Sequence, residues 1–485
     1  MKIIHIKKKS YVLLTLFFCI NLQGIKLDQI RRPTPHHAKP PKQNNTESQN
    51  MPDWNTIPEP QNSAGAFDHS FAPAGYTINP MGFKSEPRAV ITQPNNKIVV
   101  AGVRDDYPVL ARYNDNNVNR DSTIGVLDKS FGINNYGPGV VIQTSLGKGS
   151  HFNAVAIQEQ PDQRIIGVGK ANGKCMLACY NPNGTLNTFF GTYGIITTNI
   201  NGELNAVAIQ KDSKIVVAGY NPYNASDTRI ILMRYDKNGL PDTNFGSQGV
   251  VYTHAGKFSR ANAITTTTIH GENKIVIVGT INTGNQNNMV VARYHDDGSL
   301  DHSFGPDRSG VITIPVGKNN SIAYDVIVQK DGQTIIVGSG ISQNDRSLFI
   351  IIRLNENGFF DTSFGTNGII AATPTNNPSD NAYARSVVLD KDEKIIVMGY
   401  IRSHPFNLFS LARFNPNGTP DTAFGNYRGS QSNALTRFTR TDFNQAEIPV
   451  LGTIQNDKNK LVLAGMYSGT YSRTASLMAV ARYLN

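Results

Sequence analysis

Short runs of apolar and β-branched residues recur along most of the chain, separated by polar turns. Residues 205–210 (NAVAIQ) and 214–219 (KIVVAG) are two such runs, joined by Lys211-Asp212-Ser213. Runs this short, bounded by turn formers, predict strands, and the brief polar connection predicts a hairpin. Equivalent turns stand at Pro94-Asn95-Asn96, Lys330-Asp331-Gly332 and Lys391-Asp392-Glu393. A variable polar loop follows each hairpin, and then a third run such as Ile230–Tyr235. Asp236-Lys237-Asn238-Gly239 next predicts a turn, with the glycine supplying left-handed geometry. Residues 249–254 (GVVYTH) complete a unit of four strands. No window shows the 3.6-residue period and caps of a helix.

The unit repeats. A D-x-S-F-G-like motif places its phenylalanine at 71, 131, 190, 245, 304, 364 and 424, spaced by 60, 59, 55, 59, 60 and 60 residues. A K-I-V-V-A-G-like motif ends at Gly102, Gly169, Gly219, Gly279, Gly338, Gly399 and Gly465. An L-A-R-Y-N-like motif is centred on Arg112, Cys179, Arg234, Arg293, Arg353, Arg413 and Arg482. Three motifs in fixed order predict an all-β, seven-bladed β-propeller of about 60-residue repeats with four strands per blade. Radial repetition protects the sheet edges. Length alone points to about three domains, but the repeat folds residues 67–485 into one ring.

The pattern A-V-A-I-Q…K-I-V-V-A-G…A-R-Y-N-x-N/D-G-x-L-D-x-S-F-G resembles the delta-60 repeat of bacterial surface and secreted proteins, and its order is similar to NHL-type blades. The resemblance covers residues 67–485. It implies a propeller whose A-V-A-I-Q strand is innermost and a location outside the cytoplasm; it implies no catalytic residue. Residues 187–191 (NTFFG) and 448–454 depart locally from the pattern.

In this phase the chain begins with a fourth strand and ends without one. Residues 67–80 are therefore expected to complete the blade begun near residue 447, closing the ring by strand exchange between the termini. A second regularity agrees. The third-strand arginine is followed eight residues later by the aspartate of the next motif, as in Arg234/Asp242, Arg293/Asp301, Arg353/Asp361 and Arg413/Asp421. Cys179 replaces the arginine in the same unit where Asn187 replaces the aspartate. Joint loss predicts a structural arginine–carboxylate pair. Closure would bring Arg482 to Asp68.

Charge changes the picture of the termini more than that of the ring. Of the formal net charge of +10, residues 1–66 carry +5, from nine Lys/Arg and four acids. No basic cluster follows, so a nucleic-acid footprint is not expected. Residues 1–24 read as a signal peptide, a basic start before the apolar run 11–22 (YVLLTLFFCINL), too short to span a bilayer. Residues 25–66 are Pro- and polar-rich and read as a disordered spacer. The mature chain is expected to be exported, to the periplasm, cell surface or medium, without a transmembrane span and as a monomer.

Chemistry is sparse. Cys175 and Cys179 fall on one face of one predicted strand, about 13 Å apart at 3.3 Å per residue, too far for a disulfide and wrongly spaced for zinc. The N/D-x-N/D-G turns lack the carboxylates of a calcium loop. No hydrolase, P-loop or dinucleotide motif is present, so no cofactor or metal is expected and catalytic residues are unknown. The loops before the innermost strands, and those between second and third strands, emerge on one face and vary in length. They offer Arg104, Tyr107, His151, Tyr223, Arg260, Arg402, His404, Tyr467, Tyr471 and Arg473 as candidate binding residues. The expected function is a binding or interaction scaffold for a protein or glycan ligand. The alternative is an extracytoplasmic hydrolase or lyase on a glycan-like polymer, with a site at the central channel.

Overall fold

The computed structural model describes residue 64 and residues 66–485, apart from 73–74, 80–83, 116–126, 133–137, 160–161, 285, 373–378, 404–405, 426–437, 442–445, 456–458 and 468–476. The leader and nearly all of the spacer lie outside the described residues. So do His404, Tyr471 and Arg473, and the side chain of Tyr467.

The described strands form seven separate four-stranded antiparallel sheets. In six of them the hairpin, third strand and fourth strand lie side by side in chain order, running outward from the axis; the seventh takes its outermost strand from the start of the ring. The innermost strands are Ser85–Thr92, His151–Gln158, Glu203–Ile209, Lys257–Ile269, Ile322–Val328, Asn381–Leu389 and Ala446–Gln455, here blades 1 to 7. Each touches the innermost strand on either side of it, and the first touches the seventh, so the sheets close into a propeller. Among the described residues no helix is long and apolar enough to cross a membrane.

The ring closes by strand exchange. The outermost strand of blade 7 is Tyr76–Asn79, paired antiparallel with Leu477–Leu484 in the register Tyr76↔Ala481 to Asn79↔Met478. Just before it, Phe67 bridges to Tyr483 and stacks on its ring at 4.9 Å.

Apolar clusters sit between successive blades. Ile166, Val168 and Leu177 of blade 2, for example, pack against Ile215, Val217 and Ile231 of blade 3. The motif phenylalanines 71, 131, 190, 245, 304, 364 and 424 are all fully buried, each stabilising by roughly 1.5–3 kcal/mol. The turn glycine of the next blade rests on this ring. Gly239 has φ of +87°, and a Cβ there would meet Phe190 at 2.8 Å, so it is required both by its backbone and by the contact.

The repeat arginine joins these parts. Its Nε donates to the motif aspartate in Arg234/Asp242 (2.9 Å), Arg293/Asp301, Arg353/Asp361 and Arg413/Asp421 (2.8 Å each). Its guanidinium lies over the motif phenylalanine, 4.4 Å from the Phe304 centroid in blade 4. Nη1 reaches the next blade's turn, donating to the carbonyls of Asp296, Glu356 and Pro416 from Arg234, Arg293 and Arg353. One side chain therefore staples a strand to its own turn and a blade to its neighbour. Arg112 and Asp128 do the same at 2.8 Å, although an insertion stretches their separation to 16 residues. At the closure, Arg482 Nε donates to Asp68 Oδ2 at 2.7 Å. In blade 2, where Cys179 stands, Gln158 and Arg164 both donate to the Lys237 carbonyl at 3.3 Å. The buried thiols of Cys175 and Cys179 lie in this blade's core, where burial pushes each up to about 12.

Candidate functional site

The innermost strands lose register with their hairpin partners at one step near their start, and Lys257–Ile269 does so a second time, a further shift separating Lys257 from Arg260. The step falls between Pro87 and Ala89, Phe152 and Ala154, Leu204 and Ala206, Ala261 and Ala263, Ala323 and Asp325, and Ala384 and Ser386. In blades 1 to 6 one residue is thus bulged: Arg88, Asn153, Asn205, Asn262, Tyr324 and Arg385. Blade 7 has a longer irregularity between Glu447 and Leu451. A bulge re-aims a side chain. Its cause is the glycine of K-I-V-V-A-G. At Gly102, Gly169, Gly219, Gly279, Gly338 and Gly399 a Cβ would overlap the carbonyl oxygen of Glu86, His151, Glu203, Arg260, Ile322 and Tyr383, in that order. Only a glycine lets the bulge close in.

The bulged side chains run from blade to blade around the channel mouth. Asn153 Nδ2 donates to the Leu204 carbonyl at 3.0 Å, Asn205 to Ala261 at 2.8 Å, and Asn262 to Ala323 at 2.8 Å. Each amide thereby holds the carbonyl just before the next blade's bulge. Arg88 Nη1 joins the chain by donating to Asn153 Oδ1 at 2.8 Å, while its Nε pairs with Glu86 at 3.2 Å. Blades 5 and 6 break the pattern: the Arg385 guanidinium lies 3.9 Å over the Tyr324 ring.

Two sectors of the mouth differ in chemistry. Between blades 2 and 3, Glu203 gathers four partners. His151 Nε2 lies 2.9 Å and Asn153 Nδ2 2.7 Å from Oε1; the Tyr220 hydroxyl lies 3.1 Å and Lys170 Nζ 3.2 Å from Oε2. Burial works against the Glu203 charge, but hydrogen bonds from His151 and Asn153, with the His151 and Lys170 charges, hold the carboxyl far below its usual range. Burial and the adjacent Glu203 charge push the Tyr220 hydroxyl up to about 12. A His151 ring carrying a single hydrogen, on Nε2 and directed at the carboxylate, would present its lone pair on Nδ1.

In blades 5 and 6 the cluster is aromatic and cationic. The Tyr383 and Tyr400 rings stack at 4.7 Å, and the Arg402 guanidinium stands 5.6 Å from the Tyr383 centroid. Burial pushes the Tyr400 hydroxyl up to about 12 against the opposing charges of Arg385 and Arg402. Below the mouth, Asp325 takes a place that is alanine in blades 1 to 4 (Ala89, Ala154, Ala206, Ala263). It accepts from the backbone N–H of Val326 and of Val387, both at 2.9 Å, and from Ser386 Oγ at 3.1 Å. Burial nonetheless pushes its carboxyl up to about 6.

The structure brings three of the sequence candidates to the mouth: His151, Arg260 and Arg402. Arg104 and Tyr107 pair with each other across the hairpin between the second and third strands of blade 1, and Arg104 also pairs with Ser85 at the start of the innermost strand. Tyr223 is 56% exposed at an outer tip, where its ring lies 5.2 Å from His254. Sequence reasoning missed Glu86, Arg88, Glu203, Tyr220, Tyr324, Tyr383, Arg385 and Tyr400, all inside strands. The signal was available in aligned repeats. The residue two positions before the bulge (Glu86, His151, Glu203, Arg260, Ile322, Tyr383) and the one after the K-I-V-V-A-G glycine (Val103, Lys170, Tyr220, Thr280, Ser339, Tyr400) change chemistry from blade to blade, while the bulged residue is arginine, asparagine or tyrosine. Away from the mouth, a cavity of about 190 Å³ between blades 1 and 2 is lined by Val141, Gln143, Tyr180 and Leu186 and holds no acid–base pair. Among the described residues no three His, Cys, Asp or Glu side chains converge as a metal site would need.

Comparison with known proteins agrees on architecture. Residues 210–245, 273–304, 329–364 and 391–424 match a family model described as a domain of unknown function (DUF5122) beta-propeller. These segments fall in blades 3 to 6, and they support a β-propeller repeat family. No curated protein matches the chain. Similar solved structures include virginiamycin B lyase from Staphylococcus aureus, at 9% identity and TM-score 0.43, covering 84% of this chain and 98% of that one. Another is the polysaccharide lyase Uly1, at 13% identity and TM-score 0.44, covering 87% and 98%. A third is a PL25 ulvan lyase bound to a glucuronate–sulfated rhamnose saccharide, at 11% identity and TM-score 0.46, covering 83% and 94%. At these levels they carry no inference about activity.

Proposed function

We propose that the protein is an exported binding scaffold that recognises its ligand with the face carrying the channel mouth. The observation that carries this reading is the bulge ring. Six blades use a glycine and a bulge to aim a side chain at one ring of positions, asparagine in blades 2 to 4 and arginine or tyrosine in blades 1, 5 and 6. The opposite face repeats the same arginine, aspartate and phenylalanine and serves the fold. Export rests on the basic and apolar leader. The ligand class is a glycan or protein rather than a nucleic acid, since the ring region carries only +5 without a basic stripe. The test is retention on immobilised glycans and envelope proteins of wild type, mouth variants (Arg260→Ala, Arg402→Ala) and opposite-face variants (Phe189→Ala, Tyr193→Ala). Binding lost only in the mouth variants supports the reading; dependence on Phe189 or Tyr193 refutes it.

One observation favours the second reading, a lyase or hydrolase on a glycan-like polymer. His151 and Glu203 form an oriented dyad in which His151 Nδ1 is the available base and Glu203 the group that fixes the ring. Incubation with acidic polysaccharides would then release unsaturated or reducing ends, and His151→Ala would abolish them. No product from the wild type refutes that reading.

A further inference from the structure

Cations in this fold are routinely neutralised. The repeat arginines pair with aspartates, Arg88 pairs with Glu86, and Lys170 pairs with Glu203. Among the described residues three arginines of the mouth depart from this: Arg260 of blade 4, and Arg385 and Arg402, which share blade 6. Among the described residues, Arg385 and Arg402 have no carboxylate within salt-bridge distance and donate no hydrogen bond, and Arg385 Nε is buried without a partner. Both act on Tyr400, and both lie against a tyrosine face, Arg385 over Tyr324 and Arg402 over Tyr383. Arg385 lies close over its tyrosine ring at 3.9 Å and Arg402 more loosely at 5.6 Å, and neither contact uses up the N–H groups of the guanidinium. A pre-oriented planar fork matches a planar carboxylate by two parallel hydrogen bonds.

The surroundings select what carries that carboxylate. The wall beside the two arginines carries Tyr324 and Tyr383, with Tyr400 largely buried beside them, and further round Asn205 and Asn262, each with one amide bond already made to the next blade. It is a polar, hydrogen-bonding surface and no apolar slot. Such a wall suits a ligand with hydroxyls around a ring. Resting on the reading of this face as the ligand face, we propose that the Arg385–Arg402 sector binds the carboxylate of an acidic saccharide, a uronate unit of an extended glycan.

Calorimetric titration of the full chain tests this with four probes. Oligogalacturonate carries hydroxyls and carboxylates, a neutral glucan oligomer only hydroxyls, polyglutamate only carboxylates, and a DNA duplex phosphates. Oligogalacturonate is expected to bind, and the other three at least tenfold more weakly. Arg402→Met, an exposed position that does not threaten folding, and Arg385→Met should each weaken oligogalacturonate at least tenfold. Arg385→Lys should fail to restore it, because an ammonium lacks the fork. Arg229→Met, a stacked arginine away from the mouth, should change nothing. Unaltered affinity in Arg402→Met and Arg385→Met, equal binding of polyglutamate or DNA, or absence of oligogalacturonate binding overturns the proposal. Glucan binding that is lost in Arg260→Ala would overturn the carboxylate site while leaving the ligand face standing. Binding lost in Phe189→Ala would overturn both.

Discussion

Replacing Arg482 with Met probes the closure where the chain depends on it most. Arg482 and Asp68 are 3% and 4% exposed. Besides the 2.7 Å bond to Asp68, Arg482 donates through Nη2 to Ser70 Oγ at 2.9 Å and through Nη1 to Gln455 Oε1 at 3.4 Å. Nη1 also lies against the buried Asp115 carboxylate, so the variant leaves two buried carboxylates without their guanidinium, and breaking one such pair costs about 3–5 kcal/mol. Asp68 keeps the Ser70 amide and hydroxyl at 3.0 and 2.6 Å and Lys460 at 3.6 Å, and Asp115 keeps the Gln455 amide at 2.8 Å; these remaining partners soften both losses and set the expected cost at about 3 kcal/mol or more. In urea, at a slope of about 3 kcal/mol/M, the midpoint falls by roughly 1 M. Arg353→Met is the control, since it breaks the same contact to Asp361 inside a blade of continuous chain. Both variants lose stability, but only Arg482→Met also loosens Tyr76–Asn79. Amide exchange of that strand should speed up at least tenfold relative to wild type. A loss below about 1 kcal/mol, or unchanged exchange at residues 76–79, would refute the closure as the ring's latch.

Other consequences follow from named contacts. Gly219→Ala drives a Cβ into the Glu203 carbonyl and should cost about 3 kcal/mol by thermal or urea unfolding. Gly173→Ala, at φ of +77° with nothing near the added carbon, should cost only about 1 kcal/mol. Asp128 is held at about 2, by hydrogen bonds from Lys97 and Ser130 and the Arg112 charge, which outweigh its burial. Its folded value is depressed, so its stabilisation is present above about pH 4 and is lost as pH falls toward 2; Asp128→Asn should flatten that part of the unfolding profile. Asp325 has the opposite sign. Its folded value is raised to about 6, so folding takes up a proton and stability rises as pH falls from about 7 to 4. Measured against Asp325→Ala, the residue of four other blades, the wild type should gain on the order of 2 kcal/mol over that interval; a pH-independent difference would count against it. In a Cys19→Ser chain, Cys175 and Cys179 should react with a thiol reagent only at the rate of unfolding, because both are buried; fast labelling of the native protein would contradict their place in the core.

The fold was legible because periodicity and spacing report on the parts of a blade that every blade needs. Phe71 to Phe424 mark where a ring must be buried, and the joint substitution at Cys179 and Asn187 exposed the arginine–aspartate pair before any coordinates. The blade 1 pair, Arg112 with Asp128, escaped because an insertion breaks the eight-residue spacing. The second task of the same arginines, reaching a carbonyl one blade on, joins residues about 62 apart, and no local pattern encodes it. The mouth was half legible. Loop reasoning found His151, Arg260 and Arg402 because they lie at strand ends. It missed Glu203, Tyr324 and Arg385 because they read as strand interior. What moves them into the mouth is a bulge produced by a glycine on the neighbouring strand, a contact across a hairpin rather than along the chain.

Hydrogen–deuterium exchange of the full chain with and without oligogalacturonate tests the central claim most directly. The account predicts slowed exchange in the first halves of the innermost strands of blades 5 and 6, residues 322–326 and 381–387, and in residues 399–402, with the Arg–Asp turns around residues 242, 301 and 361 unchanged. Slowing confined to those turns, or to the outer tips around Tyr223, would contradict it.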